Sequence, residues 1–439
     1  MRELAASPWA EVKVADVIER HFCGPSPDCE ERPVFDDAEW GVLKTTAITW
    51  SGWNQDAHKV LPRSYWGREG IEVKAGDVLV TKAGPRHRVA VVTHVPATRR
   101  QLVVSGKMIG LRPRSDLVLP EVLAGLLALG GPQKYIQDRT TGMAESQVNF
   151  ANDVLLHTPL RLPPKAEQTG IARIARTLDT TIRQTEAIIE KLKQVKQGLL
   201  HDLLTRGIDA NGELRPPQSQ APHFYKDSPL GWIPREWSFG PLSCWLEGRP
   251  KNGYSPQPAG RWTGIQMLGL GCLTVGGFEP RQLKDAPLGD PLVSKAFLVA
   301  GDLLMSRANT RELVGLVGTY RDVGTPCCYP DLMMRLTPNV KASAAFLELV
   351  LRSPQSRRQI QASASGTSGS MVKISSAIVM GLGVAMPALA EQGRILECLV
   401  ASNRRLKAEA ALVEQLLAVK SGLMDDLLTG RVRVTSLLA

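Results

Sequence analysis

The chain has 439 residues, of which 43% are hydrophobic, and it carries a formal net charge of +10. This composition excludes a disordered or fibrous protein, and the length allows two or three hydrophobic cores. The longest apolar runs, residues 117–129 and 377–390, are too short to cross a bilayer and no apolar block opens the sequence, which argues against a membrane protein or a secretory signal.

The basic charge and the cysteines indicate the setting in which the chain works. Lysines and arginines displace counterions from phosphates, so the net charge and the pI near 9.3 favour a polyanionic partner. Seven cysteines without regular spacing predict reduced thiols and a cytoplasmic protein. Cys23 and Cys29, with His21 nearby, lack a second pair of suitable spacing, so no zinc site is predicted.

Residues 1–160 are predicted to form a first domain of mixed α/β type. Short β-branched runs bounded by glycine or proline predict strands within residues 76–83, 89–92 and 108–113. Residues 139–146, rich in threonine and glycine, predict an exposed loop that leads into a further strand at 148–150.

A long helix is predicted over residues 163–206, and Pro163 suits its first turn. Apolar residues recur along it at helical spacing and form one seam. The seam comprises Ile171, Ile182, Ile189, Leu192, Leu199 and Leu203. About 40 residues at 1.5 Å each make a helix roughly 60 Å long, whose seam another helix must cover. Residues 207–228, which have no apolar period, are predicted to be a linker.

The second half of the sequence repeats the first. Gly301-Asp302 matches Gly76-Asp77 at an offset of 225, so residues 229–385 are predicted to form a second domain. Residues 387–430 match the long helix at an offset of 224, and the seam recurs as Ile395, Leu406, Val413, Leu416, Leu423 and Leu427. The shared register predicts that the two helices pack on each other as a coiled coil, whereas two unrelated surface helices would not share it. Between these landmarks the halves diverge in sequence, for example at 50–55 against 271–277.

No motif in the sequence carries catalysis. Residues 105–108 lack both the upstream glycine and the hydroxyl of a Walker A loop, and no Gly-x-Gly-x-x-Gly follows a strand, so no nucleotide or S-adenosylmethionine site is predicted. The Asn/Asp-Pro-Pro-Tyr/Phe stretch of amino-methyltransferases is also absent. Pro27-Asp28 with Glu72-Val73-Lys74 fits the loose pattern of metal-dependent nucleases, but Glu-x-Lys is common by chance. We therefore predict no catalytic and no metal-binding residues.

The duplicated set of motifs resembles the specificity subunit of type I restriction-modification systems over essentially the whole chain. The helix openings at 162–168 and 386–392 look like that family's repeated spacers, as do the helix endings at 196–205 and 420–429. The sequence departs from the family where Met371 stands in place of the usual glutamine. The resemblance implies an α+β protein with two tandem α/β target-recognition domains, each followed by a long α-helix. The two helices would form an antiparallel coiled coil with pseudo-two-fold symmetry.

The resemblance also implies sequence-specific binding to a bipartite, asymmetric site in double-stranded DNA. Side chains that reach base edges would read the sequence, while lysines and arginines hold phosphates. The predicted DNA-binding residues are Lys82, Arg86, Arg88, Arg139, Gln147 and Asn149 in the first domain, and Arg307, Asn309, Arg311, Ser370 and Lys373 in the second. The alternative for each residue is a solvated side chain that does not touch DNA.

Catalysis would then lie in partner chains. Two modification subunits carrying S-adenosylmethionine would methylate an adenine in each half-site. Restriction subunits would add ATP- and Mg-dependent translocation and cleavage, so no cofactor is predicted in this chain. Lys196, Leu199, Lys420 and Leu423, near the helix ends, are the predicted docking surface. Two other hypotheses stay open: a non-catalytic coiled-coil protein that tethers other proteins without binding DNA specifically, and a single-chain nuclease or methyltransferase.

Overall fold

The computed structural model describes residues 9–50, 52–366 and 371–434, and it separates into two compact units. Unit 1 comprises the described residues up to 188 and from 409 onward, and unit 2 comprises those from 189 to 408. Each unit therefore contains one set of short strands and helices together with half of each of two long helices.

Unit 1 is built from short strands because its β-branched runs are interrupted by glycine, proline and polar turns. The strands are β1 (Ala10–Lys13), β2 (Ile18–Phe22), β3 (Gly41–Leu43), β4 (Ile48–Thr49), β5 (Gly52–Trp53), β6 (His58–Val60), β7 (Val78–Thr81), β8 (Ala83–Gly84), β9 (Val92–His94), β10 (Leu102–Val103), β11 (Met108–Pro113), β12 (Thr141–Ala144), β13 (Gln147–Asn149) and β14 (Pro159–Leu162). The helices are α1 (Pro120–Ala128), α2 (Gly130–Gln137), α3 (Asn152–Leu156) and the long α4 (Lys165–Thr205), which begins in this unit.

The strands of unit 1 form several small sheets. An antiparallel sheet has the order β2-β11-β7-β9, and a mixed sheet has the order β10-β3-β6 with β10 parallel to β3. A further sheet has the order β12-β13-β8, while β4 pairs with β5 and β1 with β14. Helix α1 packs on β7 and β9, so that Val78, Ile109, Leu123 and Phe150 share one core.

Unit 2 repeats this plan. Its strands are β15 (Tyr225–Lys226), β16 (Ile233–Pro234), β17 (Ser238–Pro241), β18 (Lys251–Asn252), β19 (Gln266–Leu268), β20 (Leu273–Thr274), β21 (Gly277–Phe278), β22 (Leu283–Asp285), β23 (Leu303–Ser306), β24 (Ala308–Asn309), β25 (Val317–Thr319), β26 (Cys327–Cys328), β27 (Met333–Leu336), β28 (Val372–Lys373) and β29 (Gly383–Met386). The helices are α5 (Pro291–Lys295), α6 (Ala344–Arg352), α7 (Pro354–Ser363), α8 (Ser376–Gly381) and the long α9 (Leu389–Thr429). The order β18-β27-β23-β25 corresponds to the four-stranded sheet of unit 1, and β22-β19-β26 again contains one parallel pair, β19 with β26.

The two units also repeat individual side-chain contacts. Asp77 Oδ1 lies 2.8 Å from Arg112 Nε, and Asp302 Oδ2 lies 3.1 Å from Arg335 NH1. Each aspartate accepts a hydrogen bond from the backbone N–H three residues before it, at 2.7 and 2.9 Å. The Gly-Asp pair of both sequence repeats therefore closes the turn before a central strand, and the predicted duplicated α+β architecture is confirmed.

Residues 50–55 and 271–277 diverge in sequence, but they belong to hairpins that both units share. The hairpins β4–β5 and β20–β21 are equivalent at an offset of 225, because Thr49 pairs with Gly52 as Thr274 pairs with Gly277. Each threonine Oγ1 donates to the carbonyl of its paired glycine, at 2.8 and 3.0 Å. Both glycines have positive φ, 134° and 106°. Only a threonine and a glycine are shared, which is too little for the sequence alone to reveal the match.

The long helices α4 and α9 have 41 residues each and pack against each other. In unit 1 the first half of α4 lies against the end of α9, where Asp179 Oδ1 is 2.5 Å from Lys420 Nζ. In unit 2 the end of α4 lies against the start of α9, where Leu203 and Ile395 share one core. Positions later in α4 thus meet positions earlier in α9, and the predicted antiparallel pairing is confirmed.

The predicted seam is buried close to each domain and half-buried elsewhere. The buried positions are Ile171, Ile182, Leu203, Ile395 and Leu427. The half-buried seam positions are Ile189, Leu192, Leu199, Leu406, Val413, Leu416 and Leu423, and the predicted docking residues Lys196 and Lys420 are half-buried as well.

A buried glutamine fixes the start of each long helix to its domain. Gln168 is fully buried, and its Nε2 donates to the carbonyls of Leu117 and Pro163, both at 2.9 Å. Its Oε1 accepts from the N–H of Leu119 at 2.9 Å. Gln392 makes the same three bonds at an offset of 224, at 2.9–3.0 Å. The Glu-Gln pair of the two sequence repeats is therefore an anchor and not a solvated part of the helix surface.

Residues 207–228, predicted to be a linker, are folded within unit 2. Ile208 and Leu214 form an isolated β-bridge. Arg215 is 5% exposed and its NH1 lies 2.6 Å from Oε1 of Glu391 on α9. The polar composition is typical of a connector. Here, however, the buried carboxylate of Glu391 pairs with Arg215, so the segment packs against α9.

Gly315→Ala is expected to destabilise unit 2 by about 2 kcal/mol, because an L-residue strains in the left-handed region and the added methyl overpacks a core. Gly315 has φ 69°, and a Cβ there would lie 2.4 Å from Ile360 Cγ2. The equivalent position in unit 1, Ala90, accepts φ 64° with an alanine. Amide hydrogen exchange of unit 2 measures the effect, with Gly381→Ala as control, since a Cβ there meets nothing within 4 Å. Equal protection in both variants would contradict the expectation.

Candidate nucleic-acid interface

A small polar sheet collects most of the predicted DNA-binding residues of unit 1. Strands β12, β13 and β8 place Asn149 opposite Ala83 and Val148 opposite Gly84. Arg86 follows β8 directly, and its backbone N–H donates to Glu145 O at 2.9 Å. The sheet therefore brings the predicted residues at 82, 86, 147 and 149 to one edge of the domain.

A close glycine contact shapes the hairpin at the end of this sheet. Gly142 has φ 133°, and a Cβ there would lie 2.4 Å from Gln147 O. In unit 2 a Cβ on Gly366 would lie 2.9 Å from Met371 O. Thr141 pairs with Asn149 as Ser365 pairs with Lys373. We call residues 141–149 of unit 1, and residues 365, 366 and 371–373 of unit 2, the variable hairpin.

The two copies of the variable hairpin present different side chains. Gln147 and Asn149 are exposed in unit 1, where Asn149 Oδ1 accepts from Thr141 Oγ1 at 2.9 Å. Met371, which is 46% exposed, and Lys373, which is exposed, occupy the equivalent positions in unit 2. Glutamine and asparagine offer both donors and acceptors, whereas methionine offers apolar contact and lysine offers charge. The two hairpins therefore have different chemistry on the same backbone.

Arg86 and Arg139 are the exposed arginines beside the unit 1 hairpin. Arg86 Nε lies 2.8 Å from Glu145 Oε2, and both side chains are about half-exposed or more, at 49% and 77%. An ion pair at this exposure contributes little stability, so Arg86 can exchange its partner for a phosphate. The guanidinium of Arg139 lies over the Tyr135 ring at 3.8 Å. Glu145 was missed in the sequence because an acidic side chain is not expected beside DNA.

Lys82 and Arg88 are engaged within unit 1. Lys82 Nζ donates to Asn152 Oδ1 at 2.8 Å. Arg88 NH2 donates to the backbone carbonyls of Thr45 at 2.6 Å and Ile48 at 2.9 Å. Arg88 therefore supports the β4–β5 hairpin from the side.

The predicted residues of unit 2 lie around strands β24 and β28. Ala308 pairs with Lys373, which places Arg307 and Asn309 on either side of the paired residue. Arg311 is exposed and its NH1 donates to Gln361 O at 3.0 Å. Ser370 lies outside the described residues. Direct contact with DNA stays a prediction for the predicted residues of both units.

Two observations on the described residues concern metal ligands and cysteine thiols. Among them, no group of three or more His, Cys, Asp or Glu side chains is placed to hold a metal ion. Cys327 and Cys328 lie on the buried strand β26, and burial raises the pKa of Cys327 to about 12 and that of Cys328 to about 11. Neutral, buried thiols are typical of cysteines that pack in a core. No helix in the described ranges combines the length and apolarity needed to span a membrane.

The chain is similar in sequence to specificity subunits of type I restriction enzymes. No family model matches the sequence. The specificity subunit of the type I restriction enzyme EcoEI from Escherichia coli is 34% identical over 199 residues, which are 45% of this chain and 33% of that protein. The specificity subunit of the enzyme MjaVIII from Methanocaldococcus jannaschii is 22% identical over 346 residues, 76% of this chain and 75% of that protein. The alignment thus spans only a third of the E. coli relative.

A solved structure shares the architecture. The chain is similar to one from a structural study of complex assembly and conformational transition of the type I R-M system, with a TM-score of 0.54 and 16% identity. The match covers 96% of this chain and 98% of that chain. The fold is therefore shared over the whole length, and the relatives confirm the resemblance noted in the sequence.

Proposed function

We propose that this chain, a relative of type I restriction enzyme specificity subunits, is a non-catalytic subunit that binds a bipartite, asymmetric DNA site. It would direct adenine-N6 methylation and restriction by partner subunits in the cytoplasm. The observation that carries the proposal is the variable hairpin, which both units repeat with different exposed side chains. A repeated scaffold presents its side chains to DNA in the same way, and different side chains then read different bases.

The long helices support a bipartite target. A helix of 41 residues is roughly 60 Å long, and one turn of DNA is about 34 Å. Two recognition domains attached to elements of fixed length would read two half-sites and leave the bases between them unread.

The partners in this proposal are double-stranded DNA, two modification subunits and, in a restriction complex, restriction subunits. The half-buried Lys196, Leu199, Lys420 and Leu423 would dock the modification subunits. S-adenosylmethionine, ATP and Mg would be held by the partner subunits and not by this chain.

Methylome sequencing tests the proposal in cells that express the chain with its modification partner. We expect N6-methyladenine at one split, asymmetric motif. Arg86→Ala combined with Gln147→Ala should weaken or relax one half of the motif, and Arg311→Ala combined with Lys373→Ala should do so for the other half. Lys134→Ala is the control, because Lys134 on α2 is 77% exposed, pairs with Asp138 and is neither in the variable hairpin nor among the predicted DNA-binding residues. If cells that express the wild-type chain in an assembled complex gain no methylated motif, that result would support the tethering hypothesis instead.

A further inference from the structure

We infer that the β4–β5 hairpin inserts Trp50 against duplex DNA next to the variable hairpin of unit 1. This inference rests on the proposed function and adds a contact that neither the sequence motifs nor the predicted residues include. It concerns one side chain, 55% exposed, next to the paired residues of the hairpin, which are held in place.

The hairpin is rigid where Trp50 leaves it. Ile48 pairs with Trp53 and Thr49 with Gly52, and Thr49 Oγ1 donates across the pair. The other tryptophan, Trp53, is fixed by its Nε1, which donates to Ala97 O at 2.9 Å. A Cβ on Gly52 would meet nothing within 4 Å, so space is open on this side of the tip. Trp50 therefore projects a large apolar ring from a fixed base.

Basic groups next to the hairpin identify the occupant as a polyanion. Arg88 NH2 donates to Thr45 O and Ile48 O and so ties the hairpin to the Arg86-His87-Arg88 segment. Arg86, in the same segment, pairs with Glu145 on the polar sheet. The hairpin and the sheet thus share one arginine-rich segment, and phosphates drawn to it would bring bases within reach of Trp50.

The equivalent hairpin of unit 2 also ends in an exposed apolar residue. Val275 occupies the position of Trp50 at an offset of 225 and is 73% exposed. Arg352 NH2 donates to Val275 O at 2.9 Å, so an arginine again supports the tip. Apolar side chains at both tips suit insertion between base steps from a groove, where an apolar wedge partly unstacks the bases and an aromatic ring can then stack on one of them. Because the Trp50 side chain is larger than that of Val275, we expect the stronger contact with DNA in the half-site read by unit 1.

Binding of the full chain, in complex with its modification partner, to a duplex that contains the methylated motif tests this inference. Trp50→Ala should weaken the affinity about 10- to 100-fold, because base stacking on an aromatic side chain has that effect. Trp50→Phe should retain most of the wild-type affinity for the duplex, because it keeps an aromatic ring. A loss of folding caused by removing Trp50 would not explain that difference between the two variants. Trp262→Ala is the matched control, since Trp262 is 59% exposed on another loop in unit 2. With 2-aminopurine in the unit 1 half-site, wild type and Trp50→Phe should change its fluorescence on binding, and Trp50→Ala should not.

The possible failures are distinct. A wild-type complex that binds no motif specifically would overturn the proposed function, and this inference with it. Specific binding by wild type together with equal affinity and equal 2-aminopurine signal for Trp50→Ala would overturn this inference alone.

Discussion

Glu391→Gln is expected to destabilise unit 2 by about 3–5 kcal/mol, because it removes the buried counter-charge of a buried guanidinium and leaves Arg215 only the exposed Glu236. The side chains of Glu391 and Arg215 are 7% and 5% exposed, and they are joined at 2.6 Å between Oε1 and NH1. A second contact joins Oε2 and NH2 at 3.1 Å. Glutamine would remove the charge and place an NH2 group opposite one of these donors.

The same carboxylate joins three parts of unit 2. Its Oε1 also accepts from the Ile208 N–H at 2.9 Å and from the Trp237 Nε1 at 3.1 Å. It therefore holds the first turn of α9, the segment after α4 and the start of the second domain together. A buried network of this kind is strongly destabilised when one member is lost, since the remaining polar groups stay desolvated.

Amide hydrogen exchange on the full chain is the suitable measurement, because a chain with two compact units need not unfold in one step. Protection should fall across unit 2 and stay unchanged in unit 1. Glu236→Gln is the matched control: Glu236 binds the same arginine at 2.5 Å but is 73% exposed, so its loss should matter by less than about 1 kcal/mol. Wild-type protection in Glu391→Gln would show that the arginine finds water or another acceptor.

The helical repeat was predictable because it depends only on local spacing. Apolar residues such as Ile171 and Ile395 recur with the period of a helix, and that period does not depend on tertiary partners. The repeat also pointed to Gln168 and Gln392, but their buried role needed the structure. Their hydrogen bonds reach carbonyls about 50 residues earlier, which no local pattern encodes.

The candidate interface was predictable only in part. The sequence identified basic and amide residues near the variable hairpin, yet it could not show which ones are already used. Lys82 and Arg88 already donate to oxygens of their own domain, because side-chain amide and backbone carbonyl oxygens within reach also accept hydrogen bonds. Trp50 was missed because one exposed aromatic residue has no signature without its neighbours. The pairing of Arg215 with Glu391 joins positions 176 residues apart.

A second large effect is expected on base preference when the side chains at positions 147 and 371 of the variable hairpins are exchanged. Gln147 and Met371 occupy equivalent positions. A Cβ on Gly142 would contact the backbone carbonyl of Gln147, and a Cβ on Gly366 would contact that of Met371 in the same way. Glutamine suits the N6 and N7 groups of adenine, whereas an apolar side chain suits the methyl group of thymine. Gln147→Met should therefore shift the preference of the unit 1 half-site from adenine toward thymine at one position, and Met371→Gln should do the reverse in unit 2.

The discrimination at that position should change by about 10- to 100-fold, as expected for one bidentate contact. Binding to duplexes that vary one base pair at a time, followed by methylome sequencing of cells expressing each variant, measures the shift. Gln137→Met is the control, because Gln137 is exposed at the end of α2 and lies outside the hairpin. The base preference of the other half-site should stay constant in each variant, since each unit has its own hairpin. If neither variant alters the preference, these side chains lie against the phosphates, and the bases are read by other residues of the sheet.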